Sequence, residues 1–149
     1  MQNILITQRL TENNQNELVW SLENNWYKFF KKKDINLIPL NSNLKNFNKI
    51  IKTKPLGIIF SGGNDLNFLK KVKVNLIRDN LEKKILKIAL KKKIPILGVC
   101  RGFQLIANFF KCKITQQKGH VRTIHNLKIN KQIFTHKLKS IKVNSFHNF

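Results

Sequence analysis

The amino-acid sequence predicts an α/β fold with a mostly parallel β-sheet, and three observations support this. Short apolar runs at residues 4–7, 35–40, 56–60 and 94–99 have the composition of buried strands. Stretches with helical spacing of apolar residues separate these runs, and strands that alternate with helices favour βαβ units. Two of the runs, 56–60 and 94–99, end directly in glycine-containing turns. We expect a single domain over residues 1–149, a length that can bury its own core.

In the first half of the chain, two helices are predicted between the strands. Residues 16–33 carry apolar side chains at helical intervals. The strand at 35–40 is expected to be ended by Pro39 and by the Asn-rich cluster at 41–43. A second, short helix that packs back on the sheet is expected after this cluster. The apolar residues whose spacing predicts these two helices are Leu18, Leu22, Trp26, Phe29 and Phe30 for the first, and Leu44, Phe47, Ile50 and Ile51 for the second.

In the second half, a helix is predicted at residues 78–92. Asp79 and Glu82 stand near its start, where acidic side chains suit the helix dipole. Its inward-facing residues are Leu81, Ile85, Ile88 and Ala89. Beyond the strand at 94–99 and the helix after it, we expect a strand at 112–115, a loop that holds His120 and His125, and strands at 127–129 and 141–143.

The sequence Gly98-Val99-Cys100-Arg101-Gly102 has the pattern of a nucleophile elbow, with cysteine in the nucleophile's place. A sharp strand-to-helix turn strains the central residue, and side chains two positions away would collide, which explains both glycines. The helix that follows carries Phe103, Ile106 and Phe110 near one face. Such a turn would expose the sulfur near a helix N-terminus, where unpaired amides and the helix dipole favour the thiolate. The alternative is that Cys100 is a small, inert core residue.

A second turn, Ser61-Gly62-Gly63, follows the strand at 56–60. Functional loops of parallel sheets gather at the carboxyl ends of the strands, so we expect the two turns to meet. The backbone amides of Gly62, Gly63 and Arg101 would then form an oxyanion hole for acyl transfer at Cys100. An ordinary turn is the alternative for the paired glycines. The coincidence of two signals at strand ends favours an enzyme.

Charge and composition limit the classes of function. The chain has 29 Lys and Arg against 7 Asp and Glu, a formal net charge of +22. Nucleic-acid binding would use such a charge, but the lysines are scattered and no nucleic-acid motif accompanies them, which disfavours it. The positive electrostatic field also suits an anionic small-molecule substrate.

No apolar run approaches the ~20 residues of a membrane span. The N-terminus does not have the pattern of a signal peptide, and the two cysteines argue against a disulfide scaffold. We therefore predict a cytoplasmic protein.

Residues 98–104, together with 61–65, resemble the class I glutamine amidotransferases, and more narrowly their γ-glutamyl hydrolase branch, peptidase family C26. Residues 7–10 and the Asn-Phe pair that closes the chain look most like the hydrolases of γ-glutamyl-CDP-amidate in capsule synthesis. The resemblance spans essentially the whole chain and implies a three-layer, flavodoxin-like fold. Other stretches that fit the branch are Arg78-Asp79 with Glu82, Gly119-His120, and residues 143–148.

The resemblance also implies roles for individual residues. Cys100 would be the nucleophile that forms a γ-glutamyl thioester, and the amides of Gly62, Gly63 and Arg101 would hold the oxyanion. Gln104 would contact the γ-glutamyl portion, although a surface or capping role is the alternative. The remaining roles are Asp65 as support of the glycine loop, Ser145, Phe146 and His147 as the glutamyl pocket (or an ordinary strand end), and His120 and His125 near the leaving group (or in solvent). No cofactor and no metal ion are predicted.

One part of the family's pattern has no counterpart in the sequence. The family completes its triad with a histidine and a glutamate in a segment similar to G-x-x-x-H-P-E, and the 149 residues contain no such segment. We interpret the chain as C-terminally truncated. Since losing a triad histidine costs about a millionfold in turnover, we expect weak or no γ-glutamyl hydrolysis but continued alkylation of Cys100.

Apolar sheet surface exposed by this truncation would favour self-association or a partner that covers it. The leading function is a cysteine γ-glutamyl hydrolase that acts on a γ-glutamyl-nucleotide amidate. The alternatives are a glutaminase subunit that delivers ammonia to a synthetase, and a catalytically inactive remnant or binding module.

Overall fold

A parallel β-sheet organises the N-terminal part of the molecule. The structure is a computed structural model, and the residues that it describes are 2–31, 33–41, 44–116, 119–128 and 140–146. The chain divides into two compact units, residues 1–113 and residues 114–149, which are treated in turn below. The single-domain organisation expected from the sequence stays a prediction.

The N-terminal unit alternates strands with helices. Its strands are β1 (Gln2–Thr7), β2 (Arg9–Glu12), β3 (Leu18–Ser21), β4 (Ile35–Leu40), β5 (Gly57–Phe60) and β6 (Ile96–Gly98). Its helices are α1 (Asn24–Phe30), α2 (Leu44–Ile50), α3 (Lys73–Lys91) and α4 (Arg101–Phe109), and a 3₁₀ turn at Ile51–Thr53 follows α2.

The described strands of the central sheet have the order β4-β1-β5-β6, and each neighbouring pair is parallel. In β1, Leu5 lies opposite Ile38 on one side and Ile58 on the other, and it is fully buried. Pro39 lies in β4, at the end of this order, where its missing N–H need not remove a ladder bond. The sheet confirms the predicted α/β fold, because its strands are linked by helical crossovers.

One hydrophobic cluster in the core of this unit contains Ile6, Phe30 and Ile59, which come from β1, α1 and β5. Trp26 of α1 and Val99, just after β6, pack against this cluster. Because all three central residues are less than a tenth exposed, burial of their apolar surface stabilises the position of β5 beside β1. The carboxyl ends of these strands carry the glycine loop and the elbow.

Residues 16–33 do not form the single helix that the sequence predicted. β2 and β3 instead pair as an antiparallel hairpin, and α1 begins only at Asn24. Asn13 explains the difference, because its Oδ1 accepts hydrogen bonds from the N–H groups of Gln15 (3.0 Å) and Glu17 (2.9 Å) and closes the turn. This local bond outweighs the helical spacing of the apolar residues that follow.

The long helix α3 begins earlier than the sequence predicted, at Lys73 rather than at 78. Asp79 and Glu82 therefore lie in its interior, and both are buried. The prediction that they complement the dipole at the helix start is wrong. Their carboxylates pair with arginine side chains instead.

The apolar face predicted for α4 is largely open. Phe103 is 65% exposed and Phe110 is 57% exposed, whereas Leu105 is fully buried. The strand at 94–99 is also less buried than expected, since Leu97 of β6 is 55% exposed. An open, mostly apolar pocket of about 320 Å³ lies beside it, and Phe29 is among its lining residues. The self-association or covering partner expected from the sequence stays a prediction.

The C-terminal unit contains an antiparallel hairpin of β7 (Val121–Lys128) and β8 (Ser140–Phe146). The predicted strand at 112–115 is wrong, because these residues have no regular structure in the described chain. His125 lies inside β7, opposite Val143, rather than in a loop. The end of the predicted strand 127–129 lies outside the described residues. Within the described ranges, no helix combines the length and the apolar character needed to cross a membrane.

Candidate active site

Cys100 occupies the sharp turn between β6 and α4. Its backbone angles are φ 52° and ψ −113°, in a region that side chains rarely adopt. The turn is fixed by backbone bonds, because Val99 N–H donates to the carbonyl of Phe60 (2.9 Å) and Gly102 N–H donates to that of Val99 (3.0 Å). Cys100 is exposed, which contradicts the alternative of an inert core residue.

The two glycines of the elbow are required by close backbone contacts. A Cβ on Gly102 would lie 1.9 Å from the carbonyl oxygen of Phe60, at the end of β5. A Cβ on Gly98 would lie 2.6 Å from the backbone nitrogen of Phe103. Both distances are well below van der Waals contact, so any side chain would push α4 away from the sheet. These contacts are the collision that the sequence pattern predicts.

The double-glycine loop lies against the cysteine. A Cβ on Gly62 would be 3.4 Å from the Cβ of Cys100 and 3.9 Å from its Sγ. Gly63 has a φ of 74°, which favours glycine, and a Cβ there would be 2.6 Å from Cδ of Arg9. The structure therefore brings together the two strand-end turns that the sequence singles out. An oxyanion formed at Cys100 would have the backbone of this loop as its neighbour.

The loop is wrapped around the guanidinium of Arg78, a fully buried residue of α3. Its Nη1 donates to the carbonyl oxygens of Gly62 and Gly63 (both 3.0 Å) and to Oδ1 of Asn64 (2.9 Å). Its Nη2 donates to the carbonyl (3.0 Å) and Oγ (3.1 Å) of Ser61. Three successive carbonyls thus converge on one side chain, and the N–H groups of their peptides point the opposite way.

Four charged side chains form one buried network between α3 and α4. Arg78 Nε donates to Glu82 (2.9 Å), and Glu82 and Asp79 both accept hydrogen bonds from the guanidinium of Arg101. Asp79 also accepts a bond from the N–H of Asn67 (3.0 Å). Burial lowers the pKa of Arg78 below its usual value, although the Glu82 carboxylate acts in the opposite direction. Two positive and two negative groups balance the charge of this cluster.

Further hydrogen bonds attach the loop to the N-terminal strands. The N–H of Ser61 donates to Oγ1 of the buried Thr7 (3.1 Å), at the end of β1. The amide of Asn64 accepts from the N–H of Leu10 (3.1 Å) and donates to its carbonyl (2.8 Å). Asp65 follows this residue and is half-buried. The described bonds of the loop run to Asn64, and the supporting role of Asp65 stays a prediction.

The other predicted site residues lie at two places. Gln104 is half-buried in the first turn of α4, and its N–H donates to the carbonyl of Cys100 (3.1 Å). In the C-terminal unit, the rings of His120 and His125 stack with their centroids 4.5 Å apart. Residues of that unit are described by themselves, so the following roles beside the cysteine stay predictions: His120, His125, Ser145 and Phe146. His147 lies outside the described residues.

Sequence reasoning missed the part that Arg78 plays. A signal was present, because Arg78 and Glu82 lie on the same helical stripe as Ile85 and Ala89. Charged residues in line with an apolar stripe are buried with it, and buried charges are paired. What they pair with depends on the fold and cannot be taken from spacing.

The fold and the site together define an α/β protein of the nucleophile-elbow type. Residues 12–149 match the glutamine amidotransferase class-I family. The chain belongs to this family, which is a family of enzymes. The resemblance to the class I glutamine amidotransferases is thereby confirmed, and the narrower placement in peptidase family C26 stays a prediction.

Three curated relatives illustrate the family match. The chain is 37% identical over 150 residues to the γ-glutamyl-CDP-amidate hydrolase of Campylobacter jejuni, covering 97% of this chain and 69% of that relative. It is 34% identical over 88 residues to the carbamoyl phosphate synthase small chain of Cyanidium caldarium, covering 58% of this chain and 20% of that one. It is 40% identical over 67 residues to the glutamine-hydrolyzing GMP synthase of Caldicellulosiruptor saccharolyticus, covering 45% of this chain and 11% of that one.

Proposed function

We propose that the protein hydrolyses a γ-glutamyl amide with Cys100 as its nucleophile. The observation that carries the proposal is the exposed cysteine in a strained elbow, with the backbone of Gly62 directly beside it. A cysteine in this position at a helix N-terminus has the surroundings of a reactive thiol.

The reaction has two steps. The sulfur of Cys100 attacks the γ-carbonyl carbon and the S–C bond forms, while the amide C–N bond breaks and the leaving nitrogen takes up the proton that the thiol loses. Negative charge on the carbonyl oxygen in the intermediate is stabilised by the amides of Gly62, Gly63 and Arg101. One backbone amide of this kind typically contributes about 3 kcal/mol in the transition state. Water then attacks the thioester, which releases glutamate and regenerates the thiol.

The substrate that we favour carries a nucleotide on the leaving nitrogen. The Campylobacter jejuni relative is named for a γ-glutamyl-CDP-amidate, and it aligns with almost the whole chain. The formal net charge of +22 supports an anionic leaving portion, because a positive field raises the local concentration of such a substrate. We further propose that this reaction serves capsule modification and takes place in the cytoplasm.

Glutamate release from γ-glutamyl-CDP-amidate tests the proposal. We expect slow turnover by the 149-residue chain, since its sequence holds no G-x-x-x-H-P-E segment. Cys100→Ala should abolish this turnover, and Cys112→Ala, at the other exposed cysteine, is the matched control. Release that persists in Cys100→Ala would show that the nucleophile is assigned wrongly.

A glutaminase that supplies ammonia is the second candidate. The matches to a carbamoyl phosphate synthase small chain and a glutamine-hydrolyzing GMP synthase favour it, although each covers less than two thirds of this chain. Glutamine and the nucleotide amidate, compared at equal concentration, separate the two. Preference for glutamine would support the glutaminase, and preference for the amidate would support the hydrolase.

A further inference from the structure

We propose that Arg78 is a positioning residue that aligns both halves of the oxyanion hole, an inference that rests on the proposed acyl transfer at Cys100. One half is the glycine loop, whose three carbonyls bind its guanidinium. The other half is the first amide of α4, which belongs to Arg101. The same carboxylate, that of Glu82, holds both arginines.

The direction of the loop amides follows from these carbonyl bonds. In a trans peptide the C=O of one residue and the N–H of the next point in opposite directions. With the carbonyls of Ser61, Gly62 and Gly63 aimed at Arg78, the N–H groups of Gly62, Gly63 and Asn64 are aimed away from it. The face of Gly62 that a side chain would occupy lies against Cys100. Arg78 therefore sets the orientation of the donors that lie next to the sulfur.

The start of α4 is fixed by the same network. The side chain of Arg101 is buried, and it donates to both Glu82 and Asp79 on α3. Asp79 in turn accepts from the N–H of Asn67, just after the glycine loop. A shift of Glu82 would consequently move both donor groups together. One short segment of α3 thus fixes the position of the glycine loop relative to the first turn of α4.

Stability alone is a poor explanation for such a network. Burial disfavours the charge of Arg78, as its lowered pKa indicates. Replacing a buried ion network by apolar residues is often neutral or stabilising. An apolar side chain could fill this space, but it could not bind three carbonyl oxygens. A planar guanidinium with five donors meets that requirement, and a lysine ammonium does not.

Two reagents distinguish an effect of Arg78 on the oxyanion hole from an effect on the position of the Cys100 sulfur. p-Nitrophenyl acetate acetylates a thiolate through a tetrahedral oxyanion, since the S–C bond forms while the ester C–O bond breaks and p-nitrophenolate leaves. Iodoacetamide alkylates the same sulfur by displacing iodide, and no oxyanion develops. Both reactions are measured in a Cys112→Ser background, so that Cys100 is the remaining thiol of the chain.

Arg78→Lys keeps a positive charge near Glu82 and removes the planar fork. We expect its acetylation rate to fall about 10- to 100-fold, at or below the loss of about 100- to 1,000-fold seen when one oxyanion donor is removed, because the donors are misaligned rather than removed. Its alkylation rate should stay unchanged. Lys84→Met, at an exposed position on the same helix, is the matched control and should change neither rate. Glu82→Gln, which has nearly the same shape, should give the same split to a smaller extent if Arg78→Lys fails to fold.

Several outcomes would overturn the proposal. Equal losses of acetylation and alkylation would mean that Arg78 merely keeps the sulfur in place, and unchanged acetylation would mean that the loop does not depend on it. Acetylation of Cys100 in the Cys112→Ser background no faster than that of Cys112 in a Cys100→Ser variant would mean that no oxyanion hole exists. The split with p-nitrophenyl acetate, accompanied by a glutamyl adduct on Cys100 from glutamine but not from a γ-glutamyl-nucleotide amidate, would support the positioning role and refute the proposed nucleotide substrate.

Discussion

At the scale of single residues, the site depends on glycines, which have no side chain, at three positions. Gly98 and Gly102 let the backbone of α4 approach the end of β5, and Gly62 leaves the sulfur uncovered. The backbone then brings Cys100 to a strained conformation that it would not adopt alone. These positions tolerate a methyl group to very different extents, and this gives a test.

Gly102→Ala should destabilise the protein by about 1–3 kcal/mol, the usual cost of an overpacked site, because its Cβ would overlap the carbonyl of Phe60. Gly62→Ala should leave stability nearly unchanged, since its Cβ would lie at ordinary contact distance from Cys100. It should still slow acetylation of the sulfur, because the methyl group would cover the adjoining amide. Urea denaturation and p-nitrophenyl acetate kinetics measure the two effects. Equal destabilisation by both variants would contradict the described packing.

The sequence predicted the chemical centre of the site better than its supports. Cys100 and Gly62 stand in short motifs that can be read from neighbouring residues. Each motif follows a predicted parallel strand, and the carboxyl ends of such strands meet, so the two motifs could be expected to lie close together. Arg78 supports the loop through bonds to residues more than a dozen positions away. Such bonds depend on how α3 lies against the loop, and one sequence does not contain that information.

At the scale of elements, the parallel strands were predicted well and the hairpin was not. Residues 35–40 are apolar except for Asn36, and residues 57–60 form an apolar run after Gly57, a composition typical of buried parallel strands. Residues 18–21 were placed in a helix because Leu18 and Leu22 are four apart, whereas the side-chain bonds of Asn13 decide the local structure. The start of α3 was predicted five residues too late, because its N-cap residue, Val72, makes no side-chain capping bond that the sequence could have indicated.

The open side of β6 leads to a prediction about association. Leu97 is 55% exposed beside an apolar pocket, and contiguous exposed apolar surface favours self-association. Leu97→Thr, which keeps a residue suited to strands, should lower the fraction of dimer or aggregate in sedimentation velocity. Leu90→Gln, at an exposed leucine of α3, is the control and should have less effect. Identical association of all three proteins would show that this surface plays no part.

At the scale of the whole molecule, the dominant property is its charge. A formal net charge of +22 produces a field that extends about 10 Å at 0.1 M salt and attracts anions. The charge was evident from composition, but composition leaves the identity of the anion open. In the proposed function, this anion is a small-molecule substrate rather than a nucleic acid.

Salt should therefore act differently on two substrates. Between low and high ionic strength, kcat/KM for a γ-glutamyl-nucleotide amidate should fall by about tenfold, at the lower end of electrostatic steering. The value for a γ-glutamyl anilide, whose leaving portion is uncharged, should change little. Steady-state kinetics at several salt concentrations measure both values. Parallel salt responses would indicate that the field does not select the leaving portion.

The central claim is that the sulfur of Cys100 carries the glutamyl group, and trapping of that adduct tests it most directly. The chain is mixed with a γ-glutamyl amide, quenched in acid, digested, and analysed by mass spectrometry. The account predicts a hydroxylamine-sensitive glutamyl group on the peptide that contains Cys100 and none on the peptide with Cys112. A protein whose Cys100 reacts with iodoacetamide but never accepts the glutamyl group, or accepts it no faster than Cys112, would contradict the account.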